Sequence, residues 1–307
     1  MVGGERMSIP GGNQPLSDKI FDVCNYIFLS ILLVMFLYPL VFIISASISN
    51  PDLVLRGEIW LLPKEITWEG YKLIMDYDDI WTGYRNSLLY VFVGVPFSMM
   101  LTFTAAYPLS RKDFRARNTI MYIYTFTMFF GGGLIPTYLL MRNLSLINNF
   151  ASMIILPSAV SVYNIIVTRT YFQNNIPDEL RNAAEIDGCN EILFFLRIVM
   201  PLSLPIIAVI GLFYAVGKWN LFFEALIYLT NRDLFPLQLV LREVVTSVRM
   251  NPEMLEGLDP SEVDKMTKIT NSIKYGVIIV ASVPVLLVYP FLQKYFVKGI
   301  MVGAIKG

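Results

Sequence analysis

Residues 176–205, IPDELRNAAEIDGCNEILFFLRIVMPLSLP, carry the most informative pattern in the chain. Pro177 suits a first helical turn, Asn175 is a candidate N-cap, and two acids follow where the helix dipole is positive. Gly188 can end this helix in a sharp turn, with Asp187 at the bend. A second helix with one apolar face then leads into a long apolar stretch. The segment therefore predicts a short helix, a turn and a second helix that enters an apolar region.

The first of these helices carries two adjacent small residues, Ala183 and Ala184. They predict a smooth patch that allows another surface to approach closely. A helix of this length gains little stability alone in water, so we expect it to dock on something. A helical hairpin that lies on lipid headgroups is the alternative that local physics allows.

The composition of the whole chain indicates a membrane protein. Of its 307 residues 55% are hydrophobic and 16% are charged, and the mean hydropathy is +0.58. A soluble domain carries about 25% charged residues, so this chain has too few to cover a water-facing surface. The formal net charge is zero, which argues against a nucleic-acid partner.

The absence of histidine excludes several kinds of chemistry. A chain without histidine has no Ser-His-Asp triad, no imidazole metal site and no His-based acid–base catalysis. Cys24 and Cys189 do not form a metal-binding cluster by their spacing. We therefore expect no catalytic residue and no metal site.

Six apolar segments are long enough to cross about 30 Å of hydrocarbon. They lie at about residues 21–47, 87–110, 120–140, 150–167, 202–229 and 275–296. The expected fold class is an all-α membrane protein with six transmembrane helices. Gly131, Gly132 and Gly133 lie within the third segment, where they predict close helix packing or a helix break near a translocation path.

Charge predicts the orientation of these spans, because Lys and Arg favour the cytoplasmic side. The loop after the second span is rich in Arg and Lys, and the C-terminal tail holds lysines without acids. The loops after the first and fifth spans are rich in acids. Six spans with both termini in the cytoplasm satisfy every loop, and they place 176–205 in the cytoplasm between spans four and five.

The organisation along the chain follows from these spans. We expect a flexible cytoplasmic N-terminus at 1–19, the first span and an outer loop at 20–84, the main transmembrane domain at 85–300 and a cytoplasmic tail at 301–307. In the second long outer loop, apolar residues at helical spacing over 237–248 predict an amphipathic helix on or near the membrane surface. Residues 261–268 predict a short capped helix.

The segment 176–205 resembles the EAA loop of permeases of ATP-binding-cassette (ABC) importers. The matching residues are Ala183, Ala184, Asp187, Gly188, Pro201 and Pro205. Asn182 stands where the family has Glu, which removes a charge from the loop. Residues 296–307 and Trp219-Asn220 resemble the maltose-type group, and 128–149 resembles a subgroup tied to oligosaccharide and polysaccharide uptake.

The resemblance implies a coupling role for this loop. In such importers the loop docks on a separate cytosolic ATPase and passes its movement to the spans. The residues implied in coupling are Glu179, Asn182, Ala183, Ala184, Asp187 and Gly188. The tail, with Gly299, Gly303 and Lys306, is implied to reach the ATPase subunits.

The partners implied are a second homologous permease, two ATPase subunits and an extracytoplasmic solute-binding protein. The chain lacks a G-x-x-x-x-G-K-[ST] phosphate loop, so ATP and Mg²⁺ belong to the ATPase and this chain is expected to bind no cofactor. The implied location is the cytoplasmic (inner) membrane.

Polar side chains inside the bilayer are expensive and mark candidate permeation paths. Aromatic and amide groups suit sugars, which offer hydroxyls and apolar C–H faces. The candidates are Asn220, Trp219, Glu224, Tyr163, Asn164 and Tyr138, with Lys218 also in the fifth span. The alternative is polar contact between helices, worth about 0.6 kcal/mol each.

The sequence thus predicts a permease without an ATPase site of its own, one half of a heterodimeric importer for an oligosaccharide or polysaccharide fragment. An ATP-independent secondary transporter and a polytopic membrane enzyme are the alternatives. The sequence has no convincing internal repeat to support a secondary transporter, and it has no recognisable catalytic motif to support an enzyme.

Overall fold

A computed structural model describes residues 16–155, 159–247, 273–287 and 290. Those residues form helices and loops, with no strand among them. The helices are α1 Leu16–Ser47, α2 Pro51–Leu55, α3 Glu69–Met75, α4 Asp78–Ser110, α5 Arg117–Phe129, α6 Leu134–Asn143, α7 Ser152–Ile155, α8 Val162–Asn175, α9 Asp178–Ile186, α10 Glu191–Phe194, α11 Met200–Leu202, α12 Leu204–Trp219, α13 Phe223–Tyr228, α14 Leu237–Ser247 and α15 Ile273–Leu287. A wider π-helical turn over Phe195–Val199 joins α10 to α11.

Within the described ranges, two continuous helices are long and apolar enough to cross a membrane, α1 and α4. Two bent pairs raise the number to four if each pair is one span. One is α5 with α6, bent by 110°, and the other is Glu191–Leu202 with α12, bent by 83°. The apolar helix α15 is shorter.

The helix α4 is the centre of the molecule. It packs against α12, α8 and α14, and its two halves belong to different apolar clusters. Ile80 and Tyr90 lie in a cluster with α13, α14 and α15, whereas Phe103 and Ala106 lie in one with α8, α9 and α12. The second cluster therefore joins the 176–205 segment directly to the membrane helices.

The third predicted span is broken rather than continuous. The chain leaves helical geometry at residues 130–133, and Gly133 has φ +85°, a left-handed conformation that glycine adopts without strain. A Cβ at Gly131 would meet nothing within 4 Å. Of the two expectations for these glycines, the helix break is confirmed, whereas close packing at Gly131 is wrong within this chain.

The fourth and fifth predicted spans also differ from single helices. The fourth is divided between α7 and α8, and α8 runs to Asn175, beyond the expected end. In the fifth, α12 ends at Trp219 and α13 begins at Phe223. The Asn220 side-chain amide donates a hydrogen bond back to the carbonyl of Val216 in the last turn of α12.

The helix predicted at 237–248 is confirmed as α14, and its expected place on or near the membrane surface stays a prediction. Leu237, Leu239 and Val240 are buried, and the helix packs on α4. Gly83 permits this approach, since a Cβ there would lie 3.0 Å from the Leu237 Cα. The Ser87 hydroxyl also accepts a hydrogen bond from the Leu237 amide at 2.9 Å.

The predicted helix–turn–helix at 176–205 is confirmed, with one correction. Pro177 precedes α9 in extended geometry, and Gly188 has φ +75° after Asp187 ends the helix. Asn175 is not the N-cap, because it is the last residue of α8 and its amide bonds the Tyr171 carbonyl. The preceding helix continues far enough to include it.

Several expectations lie outside the described residues. They are residues 1–15 of the N-terminal segment expected at 1–19, the helix at 261–268 and the tail residues Gly299, Gly303 and Lys306. Residues 16–19 of that segment belong to α1, so the expected flexibility is wrong there. The predicted domain boundary between residues 84 and 85 falls inside α4.

Candidate functional site

Four of the predicted path residues line one cavity between α8 and the end of α12. Its volume is about 550 Å³, and Tyr163, Asn164, Asn220 and Glu224 all lie on its wall. Asn220 and Glu224 both line it although α12 ends before them at Trp219, so they share a cavity wall across the break between α12 and α13. Tyr163 is exposed and Asn164 is buried at the wall.

Lys218 is the buried cation of this cavity wall. Its ammonium donates a hydrogen bond to the Met153 carbonyl at 2.7 Å, and its side chain passes over Gly94, where a Cβ would lie 3.0 Å from the Lys218 Cε. It therefore joins α12, α4 and the end of α7. A lysine inside an apolar bundle is tolerated when its ammonium has such acceptors.

The same wall contains a residue that sequence reasoning missed. The Tyr214 hydroxyl accepts a hydrogen bond from the Ser161 amide at 3.0 Å and lies 2.6 Å from the Thr102 hydroxyl. It thereby fixes the start of α8 against α12 and α4. The available signal was its spacing, because Tyr214 lies one helical turn before Lys218.

Trp219 and Tyr138 do not reach this cavity. Trp219 is buried, and its indole N–H donates to the Ala281 carbonyl at 3.0 Å in α15. The ring of Tyr138 stacks on that of Tyr228, with centroids 6.4 Å apart. Both side chains contact other helices of this chain, Trp219 through a hydrogen bond, as the polar-contact alternative expects, and Tyr138 through ring stacking.

The helix α9, which carries the predicted coupling residues, has an inner and an outer face. Ala184 is 7% exposed and belongs to the apolar cluster of α4, α8 and α12. The expected patch of two alanines is therefore wrong in this respect, since Ala184 contacts the chain itself. The other predicted coupling residues are exposed, namely Glu179, Asn182, Ala183, Asp187 and Gly188. Ile186 beside them is 87% exposed.

Four charged side chains fasten the 176–205 segment to the end of α4. Arg111 and Arg181 each contact both Asp113 and Glu191, so that charges of opposite sign alternate. The Arg111 Nε donates to Asp113 at 2.9 Å, and the Arg181 Nε donates to Glu191 at 3.2 Å. The Tyr107 hydroxyl donates to Glu191 at 3.1 Å. From the sequence, the basic loop after α4 predicted only on which side of the membrane it lies. The contacts of Arg111 with Glu191 and of Arg181 with Asp113 were not predicted, because these partners lie far apart along the chain.

The pKa shifts agree with this arrangement. The hydrogen bond from Arg111, with the charges of Arg111 and Arg181, lowers the pKa of Asp113 to about 2. The hydrogen bond to Asp113 is the largest cause that raises the pKa of Arg111. A carboxyl whose pKa is lowered on folding stabilises the fold above its unfolded pKa, near 4, and this contribution is lost as the pH falls towards 2. The cluster is therefore intact at neutral pH.

We expect Arg111→Gln to loosen α9 without unfolding the membrane helices. Half-exposed ion pairs are worth about 1 kcal/mol or less each, so amide hydrogen exchange in α9 should rise roughly three- to tenfold. The measurement is hydrogen exchange of the purified chain in detergent at neutral pH. Arg115→Gln is the matched control, because Arg115 lies in the same loop and makes no ion pair with the described residues. Equal exchange in both variants would contradict a fastening role.

Comparison with individual known proteins assigns the chain to a family, although no family model matches it. It is 38% identical over 296 residues to "Polygalacturonan/rhamnogalacturonan transport system permease protein YtcP" of Bacillus subtilis (strain 168), an alignment that covers 95% of this chain and 100% of that protein. It is also 38% identical over 294 residues to "Protein LplC" of the same organism, covering 95% and 96%.

A solved structure agrees with these relatives. A chain of a bacterial ABC transporter involved in the import of the acidic polysaccharide alginate superposes with a TM-score of 0.79 at 32% identity, covering 93% of this chain and 99% of that chain. A permease of this kind is a transport subunit of the cytoplasmic membrane rather than an enzyme, and it implies a partnership with an ATPase, another permease and a solute-binding protein. The 38% identity over nearly the whole length shows that this chain belongs to the permease subunits of ABC importers for carbohydrates.

Proposed function

We propose that this chain forms one half of the translocation path for an oligosaccharide or polysaccharide fragment and that α9 couples it to a separate ATPase. The observation that carries the coupling proposal is the arrangement of α9. Its inner face and the charge cluster hold it to α4 and α8, while Ala183 and Ile186 remain exposed. A helix that is held to the rest of the chain on one side, and that exposes small and apolar side chains among polar ones on the other, is suited to receive a push from a docked protein.

The proposed path of movement is short. Gly188 reverses the chain after α9, and α10, the π-helical turn and α11 lead to the bend before α12. Lys218, at the end of α12, forms part of the cavity wall. A displacement of α9 would therefore reach the cavity through one continuous stretch of chain.

We propose six spans with both termini in the cytoplasm. The described helices supply α1, α4, the α5–α6 pair, α7 with α8, the Glu191–α12 pair with α13, and α15. The basic loop after α4 contacts the coupling helix through Lys112 and Asp178, whose charged atoms lie 2.8 Å apart. This contact supports the same side of the membrane for both segments.

We propose that the cavity lined by Tyr163, Asn164, Asn220 and Glu224 belongs to the sugar path. Its amide, carboxylate and phenol groups match sugar hydroxyls, and it lies next to the break between α12 and α13. We also propose that the importer contains two ATPase subunits that carry ATP and Mg²⁺. The C-terminal tail of this chain reaches them, and a solute-binding protein contacts the outer loops.

The test is to purify the tagged chain from its native host in mild detergent and identify the proteins that accompany it. We expect a second permease and an ATPase, and we expect ATP-driven sugar uptake after reconstitution with the binding protein. If the chain is repeatedly recovered alone and transports sugar without ATP, the proposed coupling is wrong.

A further inference from the structure

A second cavity lies on the other side of Asn220. Its volume is about 910 Å³, and its walls come from the end of α12 and from α14 and α15. Asn220 lines both this cavity and the one beside α8, so the two meet at the break in the fifth span. The second cavity is therefore next to the proposed sugar path.

The walls of this cavity differ in chemistry. On α14 and at Asn220 they offer two amides, from Asn220 and Gln238, and the hydroxyl of Thr246. On α15 they are mostly apolar, with Val277 and Ile278 among the lining residues. A sugar ring has hydroxyls at its rim and C–H groups on its faces, so this combination suits a saccharide.

Arg242 is the one charged residue among those that line the cavity in the described part of the chain. Its guanidinium carbon lies 5.6 Å from the centre of the Phe222 ring, a distance at which the ring face attracts a cation. The neighbouring acid, Glu243, contacts Arg232 at 3.0 Å instead. Arg242 thus lies at the cavity, supported by an aromatic ring.

Arg242 is exposed at the cavity, so a ligand that enters the cavity can reach its guanidinium. Guanidinium presents a planar fork of N–H donors that matches a carboxylate with two parallel hydrogen bonds. We infer that this cavity binds a saccharide that carries carboxylates, a uronic acid unit, and that Arg242 binds the carboxylate. The inference rests on the proposed function, and it agrees with the acidic polymers that two of the similar proteins are named for.

The test uses the complete importer reconstituted in liposomes with its binding protein. Uptake of trigalacturonate and of its methyl ester is measured for the wild type, Arg242→Gln and Arg242→Lys. The two probes differ only in charge and the methyl groups. The binding protein is the same throughout, so a change in the ratio of the two kcat/KM values reports the permease.

We expect Arg242→Gln to lower the acid-to-ester ratio at least tenfold and Arg242→Lys to lower it less, because an ammonium keeps the charge but loses the fork. Arg56→Gln is the matched control, since Arg56 is exposed in the first outer loop and does not line this cavity. Thermal stability and recovery of the complex should be unchanged in all three variants.

Each contrary result has a distinct meaning. An unchanged ratio in Arg242→Gln, or an equal loss for both probes, overturns the inference and leaves the proposed function standing. If the importer takes up neutral trisaccharides with ATP but does not take up trigalacturonate, the inference is also overturned and the proposed function stands. If the ratio is unchanged and Arg242→Gln alters stability only in liposomes of phosphatidylglycerol, Arg242 binds a lipid phosphate instead. Uptake of trigalacturonate without ATP overturns the proposed function itself.

Discussion

Two substitutions at adjacent positions, Ala183→Glu and Ala184→Glu, are expected to lower sugar uptake for different reasons. Ala184 lies inside the apolar cluster of α4, α8 and α12, so a carboxylate there has to be buried without a partner or expel α9 from its place. A buried unpaired charge costs several kcal/mol. We expect Ala184→Glu to lower the thermal stability of the chain clearly and to abolish sugar uptake.

Ala183→Glu should leave the chain itself stable, because Ala183 is exposed. A charged side chain beside Ile186 should weaken the docking of the ATPase instead. We expect recovery of the ATPase with the tagged chain to fall at least tenfold, and ATP-driven uptake to fall with it. The measurements are thermal unfolding of each purified chain and the yield of ATPase that accompanies it.

Ala183→Ser is the matched control, since it changes the same position without adding charge or much volume. Full recovery of the ATPase with Ala183→Glu would show that the outer face of α9 is not the docking surface. A stable and fully active Ala184→Glu variant would contradict the burial of that residue.

Gly188→Val is expected to uncouple uptake from ATP without removing any contact. Gly188 has φ +75°, and a Cβ there would meet nothing within 4 Å. The change therefore acts through the backbone, because a β-branched residue in the left-handed region is strained by about 1–2 kcal/mol or more. Strain at the turn should rotate α9 relative to α10 and lower uptake at least tenfold.

Gly57 provides a control with the same geometry elsewhere. It has φ +71°, and a Cβ there also meets nothing within 4 Å, but it lies between α2 and α3, far along the chain from α9. Gly57→Val should cost similar local stability and keep most of the uptake. Gly188→Asn should retain more activity than Gly188→Val, since Asn tolerates this conformation better.

The readout is ATP hydrolysis and sugar uptake by the reconstituted importer, reported as sugar moved per ATP. Equal losses in Gly188→Val and Gly57→Val would mean that any strained turn disturbs the importer. Unchanged uptake in Gly188→Val would remove the turn from the coupling pathway.

The sequence predicted the coupling segment well because its signals are local. Pro177, the acids of the first turn and Gly188 determine where α9 begins and ends within a few residues, whatever surrounds them. The residue type at Asn175 was misleading, since asparagine suits both an N-cap and the end of a preceding helix. Local preference cannot choose between these two roles.

The candidate sugar site was predicted in part. Asn164, Asn220 and Glu224 were selected by polarity inside apolar segments, and they meet in one cavity. Trp219 met the same criterion but faces α15, because the helix ends directly after it and the chain changes direction. Arg242 was missed because its segment was expected at the membrane surface, where a charge needs no explanation.

By itself the sequence determined the membrane environment, the helical class and the helix–turn–helix of the coupling segment, since composition and short-range spacing suffice for these. Only the tertiary structure decided which face of α9 is free, where the third and fifth spans break, and which distant charges meet. The physical reason is that Ala183 and Ala184 are chemically identical along the chain and differ only in what packs against them. Likewise Arg111 and Glu191 become partners only when α4 and α10 lie side by side.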